Sequence, residues 1–370
     1  MKRVLVDELV PGMVTAEDVY NYSDQLIVPK STTLTDKAIS KLEFYAIAFI
    51  RVEDELDSEF LSAKAESEAA AGDDGNSSKP SYKDRVRTSE QFQQFKNEFE
   101  QEVRDFKTQI NEVITKNAPL DVDQLFEDAL SLMSLGTGSF SIFDMLHNMR
   151  ENDDVTFAHC LNVGLFCNIF SGWLHLNEDQ TKIATLCGLL HDIGKLRVSD
   201  DLLRKEASLS KDEYKVVKTH AHEGYNLLKN LDIDSHIKNT ALMHHERCDG
   251  TGYPFALTAS KIDPYAKMVA IADVYDAMTS ARTFRGAHSP FVAISTIESE
   301  GFQKYDTKFL LTFLENVMNT FIGNRVRLSD GREGEIVFVP KNSPSRPMIN
   351  LGDSFIDLSQ DKSVDIECIV

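Results

Sequence analysis

Seven side chains in the middle of the 370-residue chain are of the types that bind divalent metals. They are five histidines and two aspartates: His159, His191, Asp192, His220, His244, His245 and Asp273. Imidazole nitrogens and carboxylate oxygens together suit transition metals. One histidine on an apolar helix face is more often a core residue than a ligand, so the surroundings of these side chains must decide.

The His191-Asp192 pair closes an apolar helical pattern, TKIATLCGLLHDIGK, at residues 181–195. Apolar residues recur in it at helical spacing, which predicts that the pair lies where the helix enters the core. A buried, ionised aspartate costs several kcal/mol unless it is paired or bound to a cation. Gly194 permits a tight exit from the helix, and Lys195 places an ammonium one turn from Asp192.

The adjacent His244 and His245 close another helical pattern, IKNTALMHHE. Neighbouring helix positions diverge by about 100°, so both residues can serve one site only near the end of the helix. The chain does break there, into the loop RCDGTGYP at residues 247–254. Glycine and proline give this loop a defined shape beside the two histidines.

The elements that must position these residues are mainly helical. In residues 120–321, apolar residues recur every three or four positions, which predicts an all-helical domain. The apolar pattern of residues 1–52 predicts a small α/β domain, and that of residues 322–370 predicts a small β-rich segment. Residues 53–87 are acidic and rich in turn-forming residues, which predicts a flexible linker. The expected fold class is mainly α with two small additions.

Residues 88–119 predict a heptad-patterned helix. Phe92, Phe99, Phe106 and Val113 recur every seven residues, as in a coiled-coil seam. A lone helix seldom exposes four large apolar side chains to water, so we expect a homodimer through residues 88–117. The alternative is that the same seam covers the neighbouring helical domain.

The composition restricts the partners. A formal charge of −20 disfavours nucleic-acid polymers and acidic membranes. No run approaches the roughly 18 apolar residues of a membrane helix, and five scattered cysteines without a CxxC pair argue against disulfides and thiolate zinc sites. We expect a cytoplasmic protein. An anionic substrate would need local positive charge from bound cations and a few basic side chains.

Four motifs follow one another in the helical region: HDIGK at 191–195, HAHEG at 220–224, HHERCDGTGYP at 244–254 and ADVYDAMTSARTFR at 272–285. Together they resemble the HD-GYP branch of the HD hydrolases, over about residues 120–320. Residues 1–52 resemble the small domain often found ahead of HD-GYP modules. The resemblance implies an all-helical HD-type metal hydrolase domain.

The resemblance also implies two divalent metal ions. One would be held by His159, His191, Asp192 and Asp273, and the other by the bridging Asp192 with His220, His244 and His245. The absence of a thiolate favours Fe or Mn over Zn. Some family members bind a third metal through a Glu where this chain has Val155, so we expect a binuclear site.

The implied activity is a cyclic di-GMP phosphodiesterase. Attack of a metal-bridging hydroxide would open the ring to linear pGpG, with onward cleavage to GMP as an extension. Asp192 and Lys195 are the expected catalytic residues. The expected substrate contacts are Lys195, Arg282, Arg285, Gly252, Tyr253 and Pro254.

Two alternatives stay open. One is a non-catalytic receptor or adaptor that binds the dinucleotide, or a signalling protein, through the Gly252-Tyr253-Pro254 loop. The other is a phosphodiesterase for cyclic GMP-AMP. The intact set of expected ligands favours an enzyme, and His222, which falls between ligand positions, is expected at the surface.

Overall fold

A computed structural model describes residues 2–6, 9–20, 26–45, 47, 49–53, 82–116, 118–137, 141–149, 155–203, 205, 210–280 and 289–370. Residues 54–81, which make up most of the predicted linker, lie outside the described residues. So do Arg282 and Arg285.

Helices dominate the described part of the chain, which confirms the predicted mainly α fold. In chain order they are α1 Asp36–Phe44, α2 Tyr82–Thr88, α3 Glu90–Lys116, α4 Val122–Ser134, α5 Ile142–Asn148, α6 Val155–Trp173, α7 Glu178–Leu190, α8 Asp200–Leu203, α9 Lys211–Lys218, α10 His220–Leu228, α11 Ser235–Met243, α12 Pro264–Thr279, α13 Pro290–Gly301 and α14 Thr307–Asn319. Short 3-10 turns lie at Leu135–Thr137, Ile193–Arg197 and Ala259–Lys261. None of the helices in the described ranges is long and apolar enough to cross a bilayer.

The N-terminal unit combines α1 with four short strands. These are β1 Lys2–Leu5, β2 Val19–Tyr20, β3 Leu26–Val28 and β4 Phe49–Val52. β1 pairs antiparallel with β4, and β2 pairs antiparallel with β3. Leu34 and Leu42 are fully buried in the separate core of this unit. The second half of α1 contacts the helical domain, where Lys41 pairs with Glu300 at 3.0 Å.

The C-terminal segment forms one antiparallel sheet. Its strands are β5 Arg325–Leu328, β6 Glu333–Phe338, β7 Met348–Asn350, β8 Phe355–Asp357 and β9 Ile366–Ile369, in the order β8-β7-β6-β5-β9. Val326, Ile336 and Ile349 are fully buried and join the core of the helical domain. The sheet therefore packs against the helices as part of one hydrophobic core.

The apolar seam of α3 is buried within the chain. Phe92, Phe99 and Phe106 are at most 4% exposed and belong to the core of the helical domain. Phe106 packs edge-on against Phe157 of α6, with ring centroids 5.5 Å apart. The seam therefore covers the neighbouring domain of the same chain. The reason for expecting a dimer through α3 was wrong, because these side chains are already covered.

The linker also ends earlier than residue 87. Residues from Tyr82 onward form helix α2, and Val86 is fully buried in the same core. One apolar side chain in an otherwise charged stretch carries too weak a periodicity to predict such a short helix. The chain thus enters the helical domain through two consecutive helices, α2 and α3.

Helices α6 and α7 pack against each other at glycines. A Cβ on Gly188 of α7 would lie 2.7 Å from the Cα of Gly164 in α6, closer than real Cβ contacts allow. Two glycines at this contact let the backbones approach. The close packing fixes the end of α7, where His191 and Asp192 follow, relative to His159 on α6.

Candidate metal centre

The structure brings all seven predicted metal-binding side chains into one cluster. Their positions are His159 in α6, His191 and Asp192 directly after α7, His220 at the start of α10, His244 and His245 directly after α11, and Asp273 in α12. His191, Asp192, His220 and His244 are at most 1% exposed. Separate segments of the chain therefore converge on a buried centre.

One group of ligand atoms surrounds the Oδ1 atom of Asp192. The Nε2 atom of His220 lies 3.3 Å from it, and the Nε2 atom of His244 lies 3.5 Å from it. Together with a ring nitrogen of His245, these atoms all lie within 4.8 Å of one another. A single cation can therefore be reached by one carboxylate and three imidazoles.

A second group surrounds the Oδ2 atom of the same carboxylate. The Nε2 atoms of His191 and His159 lie 3.4 and 3.6 Å from it. Asp273 adds an oxygen 3.1 Å from the His159 Nε2 atom. The two oxygens of Asp192 thus face two different ligand groups, which is the arrangement of a bridging carboxylate.

The hydrogen bonds of the histidines aim their free nitrogens at the cluster. The Nδ1 atoms of His191, His220 and His244 lie 2.7, 2.8 and 3.1 Å from the carbonyls of Gly188, Val217 and Thr240. A carbonyl only accepts, so each Nδ1 must carry the proton and donate it. A ring that is neutral in this position presents a lone pair at Nε2, as metal-binding histidines do.

This leaves acceptors facing acceptors inside the protein. The Nε2 atom of His191 and the Oδ1 atom of Asp192 are buried without a hydrogen-bond partner among the described residues. The Nε2 atoms of His220 and His244 face each other at 3.3 Å. Unsatisfied buried acceptors are costly unless a cation joins them. The side chains present therefore fit divalent metal ions.

The protonation states of the ligand group around the Oδ1 atom of Asp192 also suit metal binding. Burial lowers the pKa of His220 to about 4 and lowers the pKa values of His244 and His245 as well. Burial alone would raise the pKa of Asp192, but the Lys195 ammonium and the neighbouring histidines outweigh it and hold that pKa well below its usual range. Neutral imidazoles and an ionised carboxylate are the forms that bind metals.

Asp276 is a functional candidate that the sequence reasoning missed. Its Oδ2 atom lies 2.6 Å from the Nδ1 atom of His159, while its Oδ1 atom accepts from Asn162 at 2.9 Å and Ser280 at 2.8 Å. Burial lowers the pKa of His159, but hydrogen bonds to Asp273 and Asp276 outweigh burial and raise it to about 9. The sequence ADVYDAM could have indicated Asp276, because this residue follows Asp273 by three positions. That spacing puts both carboxylates on one helix face.

Replacing Asp276 with asparagine is expected to weaken metal binding on the His159 side by about 10–100-fold, as loss of such supporting groups usually does. The amide keeps the shape but loses the charged acceptor that orients His159. Metal retention during dialysis against a graded chelator measures the effect. The control is Asp263→Asn, at the N-cap of the same helix and bonded to His236 at 2.8 Å. Equal metal loss in both variants would show that Asp276 acts only on stability.

Lys195 reaches the centre from the solvent side. Its Nζ atom makes a short ion pair with the Oδ2 atom of Asp192, and its side chain is 26% exposed. Burial would lower its pKa, but Asp192 outweighs burial and raises it, so the ammonium persists. A partly exposed cation therefore lies beside the Oδ2 atom of Asp192.

The predicted loop Gly252-Tyr253-Pro254 lies against the cluster. The Tyr253 ring stacks on His245 with centroids 4.6 Å apart, and the Tyr253–Pro254 peptide bond is cis. Glu246, which the sequence reasoning did not single out, binds the backbone of the loop from the interior of the protein. Its two carboxylate oxygens accept from the backbone amides of Phe255 and Leu257 at 2.7 and 2.8 Å.

Three further expectations have different outcomes. Arg282 and Arg285, expected at the substrate, lie outside the described residues. Val155 begins α6, but its side chain is also outside the described part, so the expectation of a binuclear site rests on the sequence alone. His222 is exposed, as expected.

Known proteins are similar to the helical region that carries most of this site. Residues 163–309 match the family model described as HD domain. A cyclic di-GMP phosphodiesterase of Pseudomonas aeruginosa is 34% identical over 52% of this chain and 46% of its own length. The 3'3'-cGAMP-specific phosphodiesterase 1 of Vibrio cholerae is 38% identical over 39% of this chain and 34% of its own length. The cyclic di-GMP phosphodiesterase response regulator RpfG of Xanthomonas campestris is 36% identical over 36% of each chain.

Among solved structures, the HDGYP protein Bd1817 of Bdellovibrio bacteriovorus matches 86% of this chain and 99% of that chain. The match has a TM-score of 0.48 and 16% sequence identity.

The helices and the His/Asp cluster define an HD-type domain, a class that binds divalent metals. Within that class, the four motifs resemble those of the HD-GYP branch, and the helical region of this chain is similar to the phosphodiesterases named above. The chain spans less than half of the length of the three relatives, with shares of 46%, 34% and 36%.

Proposed function

We propose that this protein is a metal-dependent phosphodiesterase that hydrolyses cyclic di-GMP to linear pGpG, and pGpG onward to GMP. The observation that carries the proposal is the division of the Asp192 carboxylate between two ligand groups. A receptor needs to hold only its ligand, whereas two cations on one carboxylate are the arrangement of phosphoryl-transfer sites.

The proposed ligands of the two ions are those of the two groups. They are His159, His191, Asp192 and Asp273 for one ion, and Asp192, His220, His244 and His245 for the other. We propose Fe or Mn rather than Zn, because the ligand set contains imidazoles and carboxylates without a thiolate. When bound, such ions supply Lewis-acid stabilisation of the phosphoryl oxygens and lower the pKa of water.

The side chains of the protein contribute binding and charge. The Lys195 ammonium, on the solvent side of Asp192, would neutralise charge that develops on the phosphoryl oxygens as the leaving ribose oxygen departs. Asp192 keeps that ammonium charged and aimed at the centre. Arg282, Arg285 and the Gly252-Tyr253-Pro254 loop would hold the rest of the dinucleotide. The positive centre resolves the conflict between an anionic substrate and a protein of net charge −20.

The names of the relatives support a cyclic dinucleotide as the class of substrate. The matched proteins are named for cyclic di-GMP and for 3'3'-cGAMP, both of which are cyclic dinucleotides. Cyclic GMP-AMP is therefore the second candidate substrate. We place the activity in the cytoplasm as part of the same proposal, since no disulfide joins the described cysteines and thiols persist in reducing compartments.

Metal content follows directly from the ligand groups. Purified protein expressed without added metal is expected to contain about two transition-metal ions per chain, with more Fe or Mn than Zn. Elemental analysis after gel filtration measures both numbers. A content near zero, or one dominated by zinc, would contradict the proposed cofactor.

A test of the activity must distinguish binding of a cyclic dinucleotide from its hydrolysis. Protein loaded with Mn or Fe is incubated with each cyclic dinucleotide, and chelator-treated protein serves as the control. A phosphodiesterase consumes the substrate only in the loaded form. A protein that binds a dinucleotide by calorimetry but leaves it intact in the loaded form would be a receptor, and the proposal would fail.

A further inference from the structure

Lys218 at the end of α9 is a basic residue beside the metal centre that neither the motifs nor the proposed mechanism uses. Its Nζ atom lies 5.0 Å from the ring centroid of Tyr214 and 5.3 Å from that of Tyr253. Two aromatic faces attract an ammonium by their quadrupoles and restrict where it can move. The two rings therefore favour this position of the ammonium.

Tyr253 connects this cation to the metal centre. The same ring that faces Lys218 stacks on His245 at 4.6 Å, and its centroid lies 6.4 Å from that of His220. His220 and His245 belong to the ligand group around the Oδ1 atom of Asp192. Lys218 thus flanks the centre on the His220 and His245 side, and Lys195 lies by the other oxygen of Asp192.

The charge of Lys218 has no carboxylate partner among the residues that the structure describes. Lys215, on the same helix one turn earlier, pairs with Asp212 at 2.8 Å. Lys218 is half-buried in a chain with 59 acidic and 39 basic residues. Such a group is available to an anion that comes from outside the protein.

We propose that Lys218 binds the second, non-scissile phosphate of the cyclic dinucleotide. This inference rests on the proposed function. A cyclic dinucleotide carries two phosphodiesters on opposite sides of one ring, so a scissile phosphate at Asp192 and Lys195 leaves the other phosphate at the edge of the site. An ammonium is a compact point charge that suits a phosphate oxygen, and Tyr214 and Tyr253 hold it ready. Lys218 would therefore select two-phosphate substrates without taking part in bond cleavage.

The test compares a cyclic dinucleotide with bis(p-nitrophenyl) phosphate, a diester that has one phosphate. Lys218→Met removes the charge and keeps the length of the side chain. KM for the dinucleotide is expected to rise about tenfold or more, the usual effect of losing a charge-assisted hydrogen bond, while kcat stays within about threefold. Both constants for bis(p-nitrophenyl) phosphate should stay unchanged. Lys218→Arg should restore most of the affinity, and Lys215→Met is the matched control.

The outcomes distinguish this inference from the proposed function. If the metal-loaded wild-type protein hydrolyses neither cyclic dinucleotide, the proposed function fails and the inference fails with it. If it hydrolyses a dinucleotide and Lys218→Met has an unchanged KM, the inference alone is overturned. An equal rise of KM for both substrates would also overturn it, because Lys218 would then only support the Tyr253 ring.

Discussion

Replacing Asp192 with alanine is expected to remove metal from both ligand groups and to lower turnover by at least about a thousandfold. The reason is geometric, since the Oδ1 atom lies 3.3 Å from His220 and the Oδ2 atom lies 3.4 Å from His191. No other described carboxylate reaches both groups. Elemental analysis and a phosphodiesterase assay on the same preparation measure the two losses together.

Two controls keep this result interpretable. Asp192→Asn preserves the shape of the side chain and should also lose metal, because an amide carries no charge to hold two cations. Asp263→Ala removes a buried carboxylate that lies outside the cluster and should leave the metal content unchanged. A variant Asp192→Ala that folds, keeps two metals and stays active would contradict a bridging role.

Replacing Gly194 with alanine is expected to disrupt the site through the backbone. A Cβ at this position would lie 1.9 Å from the carbonyl oxygen of His220 and 2.4 Å from the amide nitrogen of Gly224. Helix α10 would have to move away, which would draw His220 from Asp192. Overpacking of this kind costs about 1–3 kcal/mol of stability, and the ligand group around the Oδ1 atom should lose its metal.

Gly172→Ala is the matched control for this substitution. Gly172 lies in α6, and a Cβ added there would meet no described atom within 4 Å apart from its chain neighbours and the nearby backbone of its own helix. Alanine favours a helix by roughly 0.5–1 kcal/mol over glycine. The melting temperature should therefore fall for Gly194→Ala and stay level or rise for Gly172→Ala. A Gly194→Ala protein with unchanged melting temperature and metal content would show that α10 does not depend on this contact.

The sequence predicts local features of the site well. Periodicity and the breaks that follow predict helix ends at the pairs 191–192 and 244–245, and both pairs lie at the ends of α7 and α11. Buried charge near an apolar helix end also pointed to a cation. That His159 and Asp273, 114 positions apart, lie at one point followed only from the family resemblance, because periodicity carries no information on long-range contacts.

Other features depend on tertiary packing that one sequence does not reveal. The seam of α3 is equally suited to a second copy and to a neighbouring domain, and only the structure shows Phe92 and Phe106 in the core of the same chain. Gly194 was expected to permit a tight exit from the helix, and the structure shows in addition that it allows the close approach of α10. Asp276 and Glu246 were missed because their importance lies in what they hold, namely His159 and two backbone amides of the loop.

Product analysis in water enriched in ¹⁸O tests the proposed hydrolysis at a two-metal centre most directly. Protein loaded with Mn or Fe is incubated with cyclic di-GMP and, separately, with cyclic GMP-AMP, and the products are separated and weighed by mass spectrometry. We expect a linear dinucleotide with one heavy oxygen in its 5'-phosphate, formed only by metal-loaded protein and absent with Asp192→Ala. Recovery of both cyclic dinucleotides unchanged from metal-loaded protein would contradict the proposed function.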